Sequence, residues 1–146
     1  MKNNNYKCPF CHSHLLIGNK IVLAFEIRNP LRRGVILFEP ELGNYTITVH
    51  PTILFKKNEI VDIYCPVCVR NLQAEEVNQF LAKLILVDRD NQQFDLYFSR
   101  LAGEHATFKV LNERIVEKFG TETSKYIGFA VDRIKKQVED IANHYF

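Results

Sequence analysis

Two Cys-Pro-x-Cys turns, Cys8-Pro9-Phe10-Cys11 and Cys65-Pro66-Val67-Cys68, hold all four cysteines of the chain and are separated by 53 residues. Two residues between sulfurs is the spacing at which both thiolates of a turn can reach one ion, and four thiolates complete a closed tetrahedral shell. A fold that uses this set must bring positions 8–11 and 65–68 into contact, which constrains the chain more than any other feature. The expected occupant is a structural Zn2+ held by Cys8, Cys11, Cys65 and Cys68. Such a shell leaves no position for water or substrate, which argues against metal-assisted hydrolysis.

Between the turns, apolar residues recur at period two. Ile21, Leu23, Phe25 and Ile27 predict a strand buried on one face. Asn29-Pro30 through Gly34 breaks it, Val35 to Phe38 predicts a second strand, and residues 39–44 a turn before a third at Tyr45 to Val49. Ile53 to Phe55 and Ile60 to Tyr64 read as a hairpin with Lys56-Lys57-Asn58-Glu59 at its tip. Its second strand runs directly into Cys65.

After Cys68, residues 71–77 read as a short helical or irregular connector, with a boundary expected between residues 74 and 75. Leu84 to Asp88, Phe94 to Ser99 and Ala106 to Val110 predict a three-stranded meander with a turn at Arg89-Asp90-Asn91. Phe94, Leu96 and Phe98 share one face, which needs a cover. Asn112 can cap a helix running to Phe119 and stopped by Gly120, and Thr121 or Thr123 can start a second helix reaching Asn143. On that second helix Ile127, Val131, Ile134, Val138, Ile141 and Tyr145 form one apolar seam, suited to the meander or to a second copy of the chain. The expected class is therefore α+β: a β-rich region over 1–74, then an antiparallel meander with C-terminal helices over 75–146. Beyond the cysteine turns no internal repeat stands out.

Around Cys8 to Cys11 and Cys65 to Cys68, with the β-rich stretch between them, the chain resembles a zinc ribbon. In that family two such knuckles at the ends of β-hairpins clasp one zinc. The resemblance implies a structural metal and a role in binding protein or nucleic acid. It departs where zinc ribbons often carry glycine after the second cysteine of each turn, since His12 and Val69 stand there. Rubredoxin-like iron would use the same thiolates. Cys8-x-x-Cys11-His12 also matches a c-type haem string, but the second turn and the lack of any methionine besides Met1 oppose it. A glutaredoxin-like redox turn needs a strand before the first cysteine and a helix after the second, whereas the chain after Cys11 reads as strand. His12 and His14 read as knuckle-loop residues. His50, His105 and His144 belong to no acid–base arrangement, and no phosphate loop or nucleophile elbow is present.

The net charge of +2 makes no general polyanion surface. Its distribution is uneven: residues 1–70 carry nine Lys/Arg against five Asp/Glu, and residues 71–146 ten against twelve. A nucleic-acid surface would therefore use Lys7, Arg32, Arg33, Lys56 and Lys57, with Tyr6, Phe10 and Phe55 beside them for stacking. No apolar run has the form of a signal peptide or membrane span, so a reducing cytoplasm is expected. With a closed metal site and no catalytic string, the simplest expectation is a non-catalytic module that binds another protein.

Overall fold

The computed structural model describes residues 4–126. Alternation at period two is clearest in the strand at Lys20–Ile27. The strands are β1 (Asn5–Lys7), β2 (Leu16–Ile17), β3 (Lys20–Ile27), β4 (Arg32–Phe38), β5 (Ile47–Thr48), β6 (Asp62–Tyr64), β7 (Leu81–Val87), β8 (Gln93–Ser99), β9 (Thr107–Leu111) and β10 (Arg114–Phe119). One antiparallel sheet runs β1-β7-β8-β9-β10, and the other runs β2-β3-β4-β5 with β6 also paired to β3.

The α+β class is overturned: the described residues form two antiparallel sheets and contain no α-helix, only a 3-10 turn at Thr123–Lys125. The helix expected after Asn112 is the strand β10. Asn112 and Glu113 both take the left-handed conformation, at φ 50° and 62°, and make a two-residue turn that folds β10 back on β9. Asparagine suits a helix cap and this turn for the same reason, a short side chain that tolerates unusual backbone. A bulge between Ile115 and Glu117 blurs the alternation, which is why the segment reads as helical. Gly120 does end the element, but as a strand terminus: its φ is +101°, and a Cβ there would stand 2.1 Å from the His105 carbonyl oxygen. The seam from Ile127 to Tyr145, and the homodimer contact it could make, lie outside the described residues.

Phe94 and Leu96 are covered by the other sheet. On β3 the buried residues are Ile21, Leu23, Phe25 and Ile27, and they form one core with Ile36, Ile63, Leu84, Leu86, Phe94 and Leu96. The opposite face of the β7-β8-β9 sheet carries a smaller cluster of Leu81, Tyr97, Phe108, Val110 and Tyr126. Tyr126 closes the described chain there, its ring edge-on to Phe108 and its hydroxyl donating to the buried Glu104 carboxylate.

The expected hairpin of residues 53–55 with 60–64 is also replaced. Residues 53–55 form no strand; Phe55 packs on Phe25, with ring centroids 5.6 Å apart, and β6 pairs with β3 instead. The turn at Lys56 to Glu59 does form, with Glu59 N–H donating to Lys56 O at 3.1 Å. The meander stands as β7, β8 and β9. Its first turn is set by Asp88, whose Oδ1 accepts the N–H groups of Asp90 and Gln92 at 2.9 Å.

A repeat invisible in the residues alone extends well beyond the cysteines. Strand β1, the first knuckle and a return arm at residues 13–15 lead into the β3–β4 hairpin. Strand β6, the second knuckle and a return arm at residues 70–73 lead into the β7–β8 hairpin. The two units exchange strands: β1 of the first pairs with β7 of the second, and β6 of the second pairs with β3 of the first. Each return arm completes the join. Leu15 accepts from Val22 of β3 and donates to Tyr6 of β1, while Leu72 accepts from Lys83 of β7 and donates to Ile63 of β6, all at 2.8 Å. Both knuckles therefore sit where the two sheets meet.

One ion pair pins the far end of this seam. Arg32 binds Glu59 through two nitrogens and also donates to Leu54 O at 2.7 Å. The Arg32 guanidinium, helped by the Lys56 N–H, holds the Glu59 carboxyl down at about 2. Because this folded-state value lies below the unfolded value of about 4.3, the pair's stabilisation is complete above that pH and is lost as pH falls toward about 2. Chemical denaturation of Glu59→Gln is expected to show lower stability at neutral pH and a flatter decline from pH 5 to pH 2 than the parent protein. Parallel declines would mean that this pair contributes nothing.

Candidate metal centre

The two cysteine turns share a backbone hydrogen-bond pattern. His12 N–H donates to Cys8 O at 3.0 Å and Val69 N–H to Cys65 O at 2.9 Å, closing each loop. Cys8 N–H reaches Ser13 O, and Cys65 N–H reaches Arg70 O, both at 3.1 Å. The proline at the second position presets one backbone angle, and the next amide turns inward: Phe10 N–H points at Cys8 Sγ and Val67 N–H at Cys65 Sγ, each at 3.3 Å. Cys68 N–H adds a longer contact to Cys65 Sγ at 3.5 Å. These N–H groups favour thiolate charge.

The missing glycines are resolved by backbone geometry. His12 and Val69 adopt φ 62° and 64°, the left-handed conformation that glycine takes without cost. For a β-branched residue such as Val69 this is a strained state, held within a loop closed by the Val69-to-Cys65 and Cys65-to-Arg70 hydrogen bonds.

The exchange of strands brings the four sulfurs together, all within 4.8 Å of one another. Cys8 Sγ lies 3.8 Å from Cys68 Sγ, and Cys11 Sγ lies 3.7 Å from Cys65 Sγ. A tetrahedral ion with metal–sulfur bonds of about 2.3 Å sets its sulfurs about 3.8 Å apart. A disulfide would need about 2.05 Å, and all four cysteines are free. The residues fit a four-thiolate metal site by spacing, by donor type and by the amides aimed at the sulfurs.

The thiols are unequal. Burial pushes Cys8 up to about 12, whereas hydrogen bonding to the Ser13 side chain and backbone holds the exposed Cys11 down at about 6. A bound cation would stabilise thiolate at every position, so loading releases protons and tightens as pH rises.

Neither histidine near Cys11 joins the cluster. His12 is exposed, and His14 Nδ1 accepts a 2.9 Å hydrogen bond from Asn5 Nδ2. Neither turn opens a helix: the chain after Cys11 pairs back on β1 through His14 and that after Cys68 pairs back on β6 through Asn71. That is not the strand–turn–helix setting of a redox dithiol.

The basic residues are placed unevenly. Arg32 is committed to Glu59, whereas Arg33, Lys56 and Lys57 are exposed and Lys7 is half-buried. Tyr6 is fully buried, Phe55 packs in the core, and Phe10 remains exposed beneath the Arg70 guanidinium, 5.1 Å from its ring centroid. Two features here had weak sequence signals: the exposed apolar tips formed by Phe10, Val67 and Val69, and Arg70 over Phe10. No helix among the described residues is long and apolar enough to cross a membrane. Compared with protein-family models, with curated proteins and with solved structures, the chain matches none.

Relieving the left-handed strain tests the knuckle geometry. Val69→Gly is expected to stabilise the metal-loaded protein by about 1 kcal/mol, raising its thermal midpoint by about 3 °C. A lowered midpoint would show that Val69 packing outweighs its backbone strain.

Proposed function

We propose that this chain is a zinc-stapled β protein with zinc-ribbon-like knuckles, acting as a non-catalytic interaction module that presents its knuckle tips to another protein. The observation that carries the reading is the cluster of four cysteine sulfurs, all within 4.8 Å of one another. With all four donors supplied by cysteine, no position remains for substrate, and the ion serves to hold the two chain segments together. Zinc suits such a set because it is redox-inert and has no geometric preference opposing a tetrahedron. A reducing compartment such as the cytoplasm would keep the thiols available as ligands.

The tips supply the surface. Phe10, Val67 and Val69 are 46%, 61% and 70% exposed, although each sits in a loop fixed by hydrogen bonds. Rigid, exposed apolar groups beside an arginine resemble the central anchors of protein interfaces, because little conformational entropy is lost when they are covered.

Elemental analysis of protein purified without added metal is expected to give one zinc per chain and four thiols that resist alkylation until a chelator is added. Zinc removal should abolish cooperative unfolding, since structural zinc can contribute on the order of 10 kcal/mol. Iron in place of zinc would revise the cofactor but not the architecture. For the interaction, Val67→Asp with Val69→Asp should keep the zinc yet lose a stoichiometric partner that the parent retains from host lysate after nuclease treatment. Partners released by nuclease would shift the reading to nucleic acid. An unaltered partner set would remove the tips from the interface.

A further inference from the structure

We infer that the space between the two sheets is a binding site for a small, neutral, apolar molecule. Among the described residues a cavity of about 390 Å³ lies there, bordered by strand residues of both sheets and by the loops at 39–45 and 100–106, and none of the four cysteines borders it. Its strand walls include Ile21, Ile36, Phe38, Leu84, Leu96 and Phe98. Protein cores rarely leave a void much larger than one water, and an empty apolar volume destabilises in proportion to its size. A cavity this large falls at the lower end of the range that holds small ligands, about 300–1,000 Å³.

The polar groups at its edge define the charge of the occupant, because protein partners already engage them. Arg100 binds Asp62 at 3.0 Å and Gln79 O at 2.7 Å. Glu104 accepts from Ser99 at 2.8 Å, from Lys125 at 2.6 Å and from Tyr126. Glu39 is paired with Lys20. The Tyr6 hydroxyl donates to Pro40 O, and the Tyr45 hydroxyl is bonded to Thr107 and Phe119 O. An anion would find no uncommitted interior cation among these groups, and a cation no uncommitted interior carboxylate. What the cavity offers is hydrocarbon surface.

The most exposed lining residues are Glu41, Gly43, Asn44, Ile47, Gly103 and His105, and they mark an opening between the loop after β4 and the loop before β9. The His105 ring stacks on Tyr45 at 4.3 Å and forms a flat wall at this rim. The Glu41 carboxylate at the opening further disfavours an anionic ligand.

Two fluorescent probes of similar shape test this on the zinc-loaded full chain. N-phenyl-1-naphthylamine is neutral, and 1-anilinonaphthalene-8-sulfonate carries a fixed negative charge. The neutral probe is expected to saturate at one per chain, with the sulfonate binding at least about tenfold more weakly. Filling the cavity with Ala102→Phe or Ile36→Phe should abolish neutral-probe binding in whichever variant retains its native thermal transition. Val35→Ser, on an exposed site of β4 that does not line the cavity, should leave the affinity unchanged. Unsaturable binding, equal affinity for the two probes, or unchanged affinity in a folded cavity-filled variant would each overturn the inference.

Discussion

The reciprocal exchange of strands at the two knuckles is the constraint on which the rest of the structure depends. Neither unit completes its own sheet: β1 needs β7 as its partner, and β6 needs β3. The return arms at residues 13–15 and 70–73 bond strands of their own units, so it is the two exchanged pairings that join the units, with the four sulfurs within 4.8 Å of one another. An ion bound there would stabilise a long-range pairing whose loop closure is entropically unfavourable. Metal binding and sheet assembly are in this sense one event.

Around that seam, strain and satisfied polar groups are distributed with a clear division of labour. The knuckles place two non-glycine residues in left-handed conformations, a cost that the surrounding hydrogen bonds and a bound metal can offset. The bidentate Arg32–Glu59 pair and the partly buried Arg100–Asp62 pair tie the connecting segment to the sheets. Burying Arg100 is tolerable because its guanidinium meets a carboxylate and backbone carbonyls together. The apolar cavity is lined by residues from both units.

Much of this was legible residue by residue. The β3 alternation, the meander and the Asp88 turn each follow from local side-chain pattern. The candidate site was legible as a donor set because cysteine spacing within a turn is a local property. The expectation of a helix from Asn112 to Phe119 failed because asparagine serves caps and left-handed turns alike, and a bulge obscured the period of β10. The expectation of a hairpin at residues 53–64 failed because β6 has a stronger partner in β3 than the short apolar run beside it.

The sequence by itself determined which residues could ligate a metal, which strands would bury one face, and that the two cysteine turns had to meet if they shared an ion. Those are consequences of residue type and short-range periodicity. Only the tertiary structure decided that the two units exchange strands, that the opposite sheet covers Phe94 and Leu96, and that a cavity remains between them. Strand pairing depends on competition among all available edges and on the fit of side chains across the interior, and neither quantity is written in any local stretch of the chain.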